Sequence, residues 1–212
     1  MDEENKPVQN LPEQTPTTSN EWSLKGFYRQ HKSLLSSLML FGAAFLTALM
    51  INAFVFQPYE VEGSSMEPTL HNADRLIVSK TGKTWSRITQ TDYIPSRGDI
   101  VIFNSDKLGK QLIKRVVGIP GDRVVVSQGT VTVYNQENPD GFNPDKLENL
   151  DLYKYTEGNV DQVVEAGTIY VIGDNRLPSA SLDSRVFGLV SSKDIVGVLS
   201  LRMYPFDQID RF

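Results

Sequence analysis

Asp122-Arg123-Val124-Val125-Val126-Ser127-Gln128-Gly129-Thr130-Val131-Thr132-Val133-Tyr134-Asn135 is half β-branched residues, with Gln128-Gly129 at its middle. Branching at Cβ narrows χ1 in a helix and packs well on a pleated surface, so the stretch reads as strand. The same texture recurs in RLIVSK (75–80), DIVIFN (99–104), QLIKRVVGI (111–119), GTIYVIGD (167–174) and DIVGVLSLRMY (194–204). These runs are separated by Gly, Pro, Asn and Asp, and no stretch among them carries a long helical period. The part of the chain after Tyr59 is therefore expected to be all-β, mainly antiparallel. Residues 136–159, QENPDGFNPDKLENLDLYKYTEGN, read as an exposed, solvated excursion between strands.

Ahead of this region lies Ser33–Phe56, SLLSSLMLFGAAFLTALMINAFVF, which holds no charged residue. At about 1.5 Å per residue it is long enough to cross a hydrocarbon layer of about 30 Å with some tilt. A cleaved secretory signal would carry a short basic n-region, whereas about thirty residues precede this run, and no clear small-x-small site closes it. A core helix of this length would keep a polar face. Lys25, Arg29 and Lys32 precede the run and Gln57-Pro58-Tyr59 follow it, so the positive-inside rule places the N-terminus in the cytoplasm and the β region outside. The expected organisation is a mostly disordered cytoplasmic tail (1–32), one transmembrane helix (33–56) and an extracytoplasmic β domain (57–212) in the cell membrane.

The formal charge of −5 argues against a nucleic-acid partner, which would call for a basic face. The absence of cysteine removes any cysteine nucleophile and says little about compartment. There is no HExxH, and His71 is the single histidine beyond the apolar run, which leaves only carboxylates as further ligands, so no metal is expected. A Ser-His-Asp arrangement through His71 is the weaker serine chemistry. Lysine replaces histidine as a base when burial in an apolar pocket holds its amine neutral. Lys114 lies in such a setting, between Leu112-Ile113 and Val116-Val117. Strand alternation puts Lys114 on one face and Arg115 on the other, so one cation points inward unless both reach solvent at a sheet edge. Ser65 sits in Glu62-Gly63-Ser64-Ser65-Met66-Glu67-Pro68, where glycine permits a tight backbone approach and the serine's own amide is placed to help bind an oxyanion; read alone, Gly-Ser-Ser is just as well a turn. Nothing in spacing or periodicity brings this turn to Lys114.

At these residues the chain resembles the type I signal peptidases, bacterial membrane-anchored Ser-Lys endopeptidases, and more closely their Gram-positive members. The resemblance rests on Gly63-Ser64-Ser65-Met66-Glu67-Pro68-Thr69-Leu70, Arg97-Gly98-Asp99-Ile100-Val101-Ile102-Phe103, Lys114-Arg115-Val116-Val117-Gly118-Ile119-Pro120-Gly121-Asp122 and Gly173-Asp174-Asn175-Arg176 followed by Ser181-Leu182-Asp183-Ser184-Arg185. It implies a signal-peptidase-like β domain with Ser65 as nucleophile and Lys114 as general base. It further implies Ser181 as the hydroxyl that orients the lysine amine, Asp183 and Arg185 as a supporting pair, and Gly63, Ser64 and Met66 in the substrate cleft. Gly63 stands where some members carry an oxyanion-hole serine. Leu177-Pro178-Ser179-Ala180 replaces a shorter link, which makes Ser179 a rival to Ser181.

The activity so implied is cleavage of N-terminal signal peptides from exported preproteins after small residues, with preprotein and membrane lipid as partners and without a cofactor. A Ser-Lys peptidase of narrow substrate range, or a non-catalytic membrane-anchored binding domain, are the other readings.

Overall fold

The computed structural model of the protein describes residues 24–147 and 155–212, and the chain divides into two compact units, Met1–Leu46 and Thr47–Phe212. The expected tail falls outside the described residues as far as residue 23. Helix α1 runs from Leu24 to Phe54. It begins nine residues before the charge-free run, because Lys, Arg and Gln are good helix formers and carry the helix back past the apolar segment. It ends before Phe56, which already pairs with Ser79 in a sheet. His31–Phe54 is long and apolar enough to cross a membrane, and none of its apolar window is buried, so it is not the core helix of a soluble domain.

The rest of the described chain folds as β1 (Phe56–Glu60), β2 (Arg75–Ser79), α2 (Thr81–Thr89), β3 (Ile100–Ser105), β4 (Lys110–Gly118), β5 (Arg123–Ser127), β6 (Thr130–Tyr134), α3 (Pro144–Leu147), β7 (Val160–Val163), β8 (Thr168–Ile172), α4 (Ser184–Phe187), β9 (Val190–Ser191), β10 (Ile195–Tyr204) and β11 (Asp210–Arg211). The larger sheet has the order β1-β2-β10-β3-β4-β8-β9, with β11 on β10, and the smaller one β6-β5-β7. Every pair is antiparallel.

The opening stretch forms the β5–β6 hairpin, in register from Arg123↔Tyr134 to Ser127↔Thr130. Its two-residue loop, Gln128 at φ 48° and Gly129 at φ 79°, has the left-handed backbone that matches the twist of the strands. Val124, Val126, Val131 and Val133 all point into a core shared with Val117, Tyr170 and Ile172. A second core gathers Val101, Phe103, Val116, Ile169 and Val171, and a third Val61, Met66, Leu70, Leu76, Ile100 and Leu199. Each fully buried side chain of this size contributes about 1.5–3 kcal/mol, and β3 and β4 thread all three clusters together.

The sequence missed α2, whose nine residues make too few turns for a helical period to show, and the short β1, β7, β9 and β11. The excursion is not simply solvated. Phe142 bridges to Val133, and Pro144 and Thr156 are buried, because this segment supplies the partners of a buried arginine described below. Its residues 148–154 lie outside the described part.

Candidate active site

Ser65 lies in the β1–β2 connection. Val61, Met66 and Leu70 are buried in the third core and pin that loop on either side of the serine. Gly63, at φ +89°, takes a backbone conformation that side chains disfavour, and its N–H donates to Asn72 Oδ1 at 2.8 Å. From across the fold, the backbone N–H of Asn175 donates to Ser65 O at 3.1 Å and its side-chain amide to Ser64 O at 2.9 Å. The serine is thus held through its carbonyl, while its own N–H makes no hydrogen bond among the described residues.

Lys114 reaches this loop from the middle of β4. Both cations of the pair are buried, Lys114 at 2 % exposure and Arg115 at 6 %, so neither reaches solvent. The reason is the position of β4, which runs between β3 and β8 and is covered on both faces. Lys114 Nζ donates to Ser65 Oγ at 2.7 Å and to Ile113 O at 2.7 Å. Burial lowers its pKa from 10.5 to about 8, against the opposing pull of Asp183 and Asp174. Arg115 instead forms a bidentate pair with the buried Asp174, at 2.8 and 2.6 Å, and donates to Gly98 O at 2.7 Å.

Ser181 is buried beside the pair, but its hydroxyl donates to Asp183 Oδ2 at 2.8 Å and makes no hydrogen bond to Lys114 among the described residues. Gly173 explains how closely the parts assemble: a Cβ there would collide with Ser181 Oγ and with the carbonyl oxygen of Ser65. The Asp183 carboxylate is fully buried and fully used. It accepts from Gly173 N, Ser181 Oγ and the Arg185 backbone, and from the Arg185 guanidinium at 2.8 Å on each oxygen. Ser179 is exposed and left-handed at φ 59°, away from this network.

A groove of about 440 Å³ opens at Ser65 and Lys114, between Tyr59–Glu62 on one side and Lys110–Ile113 on the other. The expected cleft residues do not line it. Gly63 and Ser64 are exposed next to Ser65, and Met66 is 1 % exposed with its side chain turned into the core, because it anchors the loop that presents the serine. His71 is exposed, with its backbone N–H on Asp74, and makes no hydrogen bond to Ser65 among the described residues.

Sequence reasoning quoted Asp174, Asn175 and Arg176 only as parts of a motif. Arg176 is fully buried; it donates to Gly173 O at 2.8 Å, to Asp145 at 2.9 and 2.6 Å and to Thr156 Oγ1 at 2.9 Å. The run of a carboxylate, an amide and a guanidinium directly after a strand was the available signal, but their partners lie far off in the chain.

The signal peptidase, peptidase S26 family profile matches residues 34–204. Among curated proteins the chain is similar to signal peptidase I of Bacillus licheniformis, 34% identical over 169 residues, or 78% of this chain and 86% of that protein. Signal peptidase I T of Bacillus subtilis (strain 168) is 37% identical over 171 residues, 78% of this chain and 83% of that one. The crystal structure of a signal peptidase I from Enterococcus faecalis V583 aligns at 29% identity and a TM-score of 0.40, covering 50% of this chain and 97% of that one.

Proposed function

The chain belongs to the signal peptidase family, peptidase S26, and we propose that Ser65 is its nucleophile and Lys114 its general base. Its activity is the cleavage of signal peptides from preproteins, and the apolar helix and the relatives make it a membrane-anchored protein. The observation that carries the residue assignment is the 2.7 Å contact between a buried lysine amine and a serine hydroxyl.

With a pKa of about 8, roughly a tenth of Lys114 is neutral at pH 7. The neutral amine accepts the Ser65 proton as Oγ attacks the scissile carbonyl. The resulting oxyanion is stabilised by the free Ser65 N–H. The lysine ammonium returns the proton to the leaving amine, and Lys114 then takes a proton from the water that hydrolyses the ester. Ser181, Asp183 and Arg185 form the wall behind the amine. Ser181 rather than Ser179 serves as the supporting hydroxyl, being buried and fixed by Asp183.

The substrate lies in the groove as an extended segment with a small residue at the cut. β4 pairs with β8 only from Arg115 onward, which leaves one edge of Lys110–Ile113 without a strand, and β1 is the last strand on its side of the sheet. Two open edges facing one groove suit a peptide that adds as a strand. The anchor is the apolar part of α1, ending at Phe54, and the catalytic domain follows from β1 at Phe56, with the N-terminus cytoplasmic and the catalytic side outside. A non-catalytic binding domain has no reason to bury a lysine amine against a serine hydroxyl.

The test is cleavage of a preprotein with an A-x-A site by full-length protein in detergent, compared with Ser65→Ala and Lys114→Met. Cut wild-type reactions and silent variants are expected. Activity that survives Lys114→Met removes Lys114 as the base.

A further inference from the structure

The last carbonyls of an α-helix have no partner within the helix, and at the edge of a bilayer water is scarce to satisfy them. At the end of α1 these groups are taken by the start of α2. Lys80 N donates to Val55 O at 2.7 Å, Lys80 Nζ to Asn52 O at 3.1 Å and Thr84 Oγ1 to Phe54 O at 2.7 Å. Lys80 Nζ also holds Gln57 Oε1 at 3.0 Å, and its charge lies favourably at a helix C-terminus. The position of α2 is therefore set by the point where the apolar helix ends.

On the other side α2 is fixed to the sheet. Ser86 is buried, and Lys83 Nζ donates to Ser192 O at 2.6 Å and to Lys193 O at 3.1 Å, in the turn between β9 and β10. What remains turned outward is Trp85, 66 % exposed, and Ile88, 68 % exposed, three residues apart and so on one face. Arg87 is exposed between them in sequence, and Phe56, the first residue of β1, paired with Ser79 just ahead of α2, is exposed too. A rigid tryptophan and isoleucine facing water would leave a large apolar area hydrated, directly beside a residue bonded to the exit of a membrane-spanning helix.

We propose that α2 is an interfacial helix, seated in the headgroup layer of the bilayer that α1 crosses, with Trp85 and Ile88 inserted at the top of the acyl chains. Tryptophan favours that depth because its ring is apolar and its N–H is polar, and a short amphipathic helix with a basic residue lies flat there. The seat holds the end of the anchor and the start of the sheet at one level, and so fixes the height of the sheet that carries the groove above the lipid. The inference rests on the membrane-anchored reading of His31–Phe54 and not on the roles of Ser65 and Lys114.

The experiment uses full-length protein carrying Trp22→Phe, which leaves Trp85 as the single tryptophan, excited at the red edge of its absorption apart from the tyrosines, in vesicles of phosphatidylcholine and phosphatidylglycerol. Trp85 emission shifts to the blue, is quenched most by lipid brominated near the headgroup end of the chain, and is shielded from aqueous iodide. Iodide quenching without bromolipid quenching overturns the proposal. Shielding from both quenchers also overturns it, since a protein surface or a second copy then covers the helix. In wild-type Trp22, the double change Trp85→Gln with Ile88→Gln lowers cleavage of a preprotein embedded in vesicles on the order of tenfold. It leaves cleavage of a short soluble peptide in detergent unchanged, and equal loss on both substrates contradicts the interfacial role.

Discussion

Lys114 and Arg115 are neighbours on one strand, both buried and both basic, yet the fold treats their two surroundings in opposite ways. The Arg115 side supplies a carboxylate, Asp174, with two hydrogen bonds in fork geometry, so the guanidinium stays charged. The Lys114 side offers a serine hydroxyl and a backbone carbonyl, and no carboxylate lies within ion-pair distance of the amine among the described residues. A paired buried cation is a structural part, whereas a buried amine without a counter-ion is drawn toward its neutral form and becomes a base. The carboxylates that pull on the amine, Asp183 and Asp174, are already committed to arginines. That commitment lets burial prevail and brings the lysine to about 8.

The largest effect comes from abolishing the neutral amine. Lys114→Arg places a permanent cation where a base is needed, and kcat/KM falls by about a hundredfold to ten-thousandfold, as does that of Lys114→Met. The assay is steady-state cleavage with folding checked by circular dichroism. Breaking the other side has the opposite signature. Asp174→Asn leaves Arg115 buried without its counter-charge and lowers unfolding free energy by about 3–5 kcal/mol, read from denaturant melts.

A third change sharpens the contrast in stability alone. The folded pKa of Lys114, about 8, lies below the unfolded value of 10.5, so between these limits the unfolded chain binds the extra proton and stability rises with pH. Below pH 8 the full penalty of holding the cation is present. Lys114→Met is therefore more stable than wild type at pH 7 by about 1–2 kcal/mol, after the lost hydrogen bonds are set against the relieved charge, and the gain fades as pH climbs toward 10.5. A gain that stays constant with pH would mean that Lys114 keeps its ordinary pKa.

The smallest effect concerns the two candidate serines. Ser181→Ala removes a buried donor to Asp183 and lowers kcat on the order of tenfold. Its pH profile shifts as well, because the network around Asp183 is what faces the amine. Ser179→Ala, on an exposed turn, changes neither. An equal loss in both variants would contradict the assignment of Ser181.

Much of this was legible in the chain. The β-branched runs on either side of Gln128-Gly129 declare strand, because local sterics act over a few residues, although their pairing as one hairpin is not read from them. The apolar helix is legible for the same reason, although its start at Leu24 is not, since basic residues extend a helix without changing its hydropathy. The meeting of Ser65 with Lys114 lies 49 residues apart and depends on which strands neighbour one another, which no local pattern records. The burial of both β4 cations was unreadable because Asp174 belongs to a distant loop. Met66 turns into the third core, which its adjacency to Ser65 in the chain does not reveal.

The most direct test of the central claim is a side-chain NMR titration of Lys114, with isotope-labelled lysine in the full-length Ser65→Ala protein in detergent and the Lys114→Met spectrum for assignment. The account predicts that the Lys114 resonance titrates with a midpoint near 8, well below the 10.5 of an unperturbed lysine. A Lys114 resonance with its midpoint at the unperturbed lysine value of 10.5 would show the amine to be an ordinary cation and would contradict its role as the base.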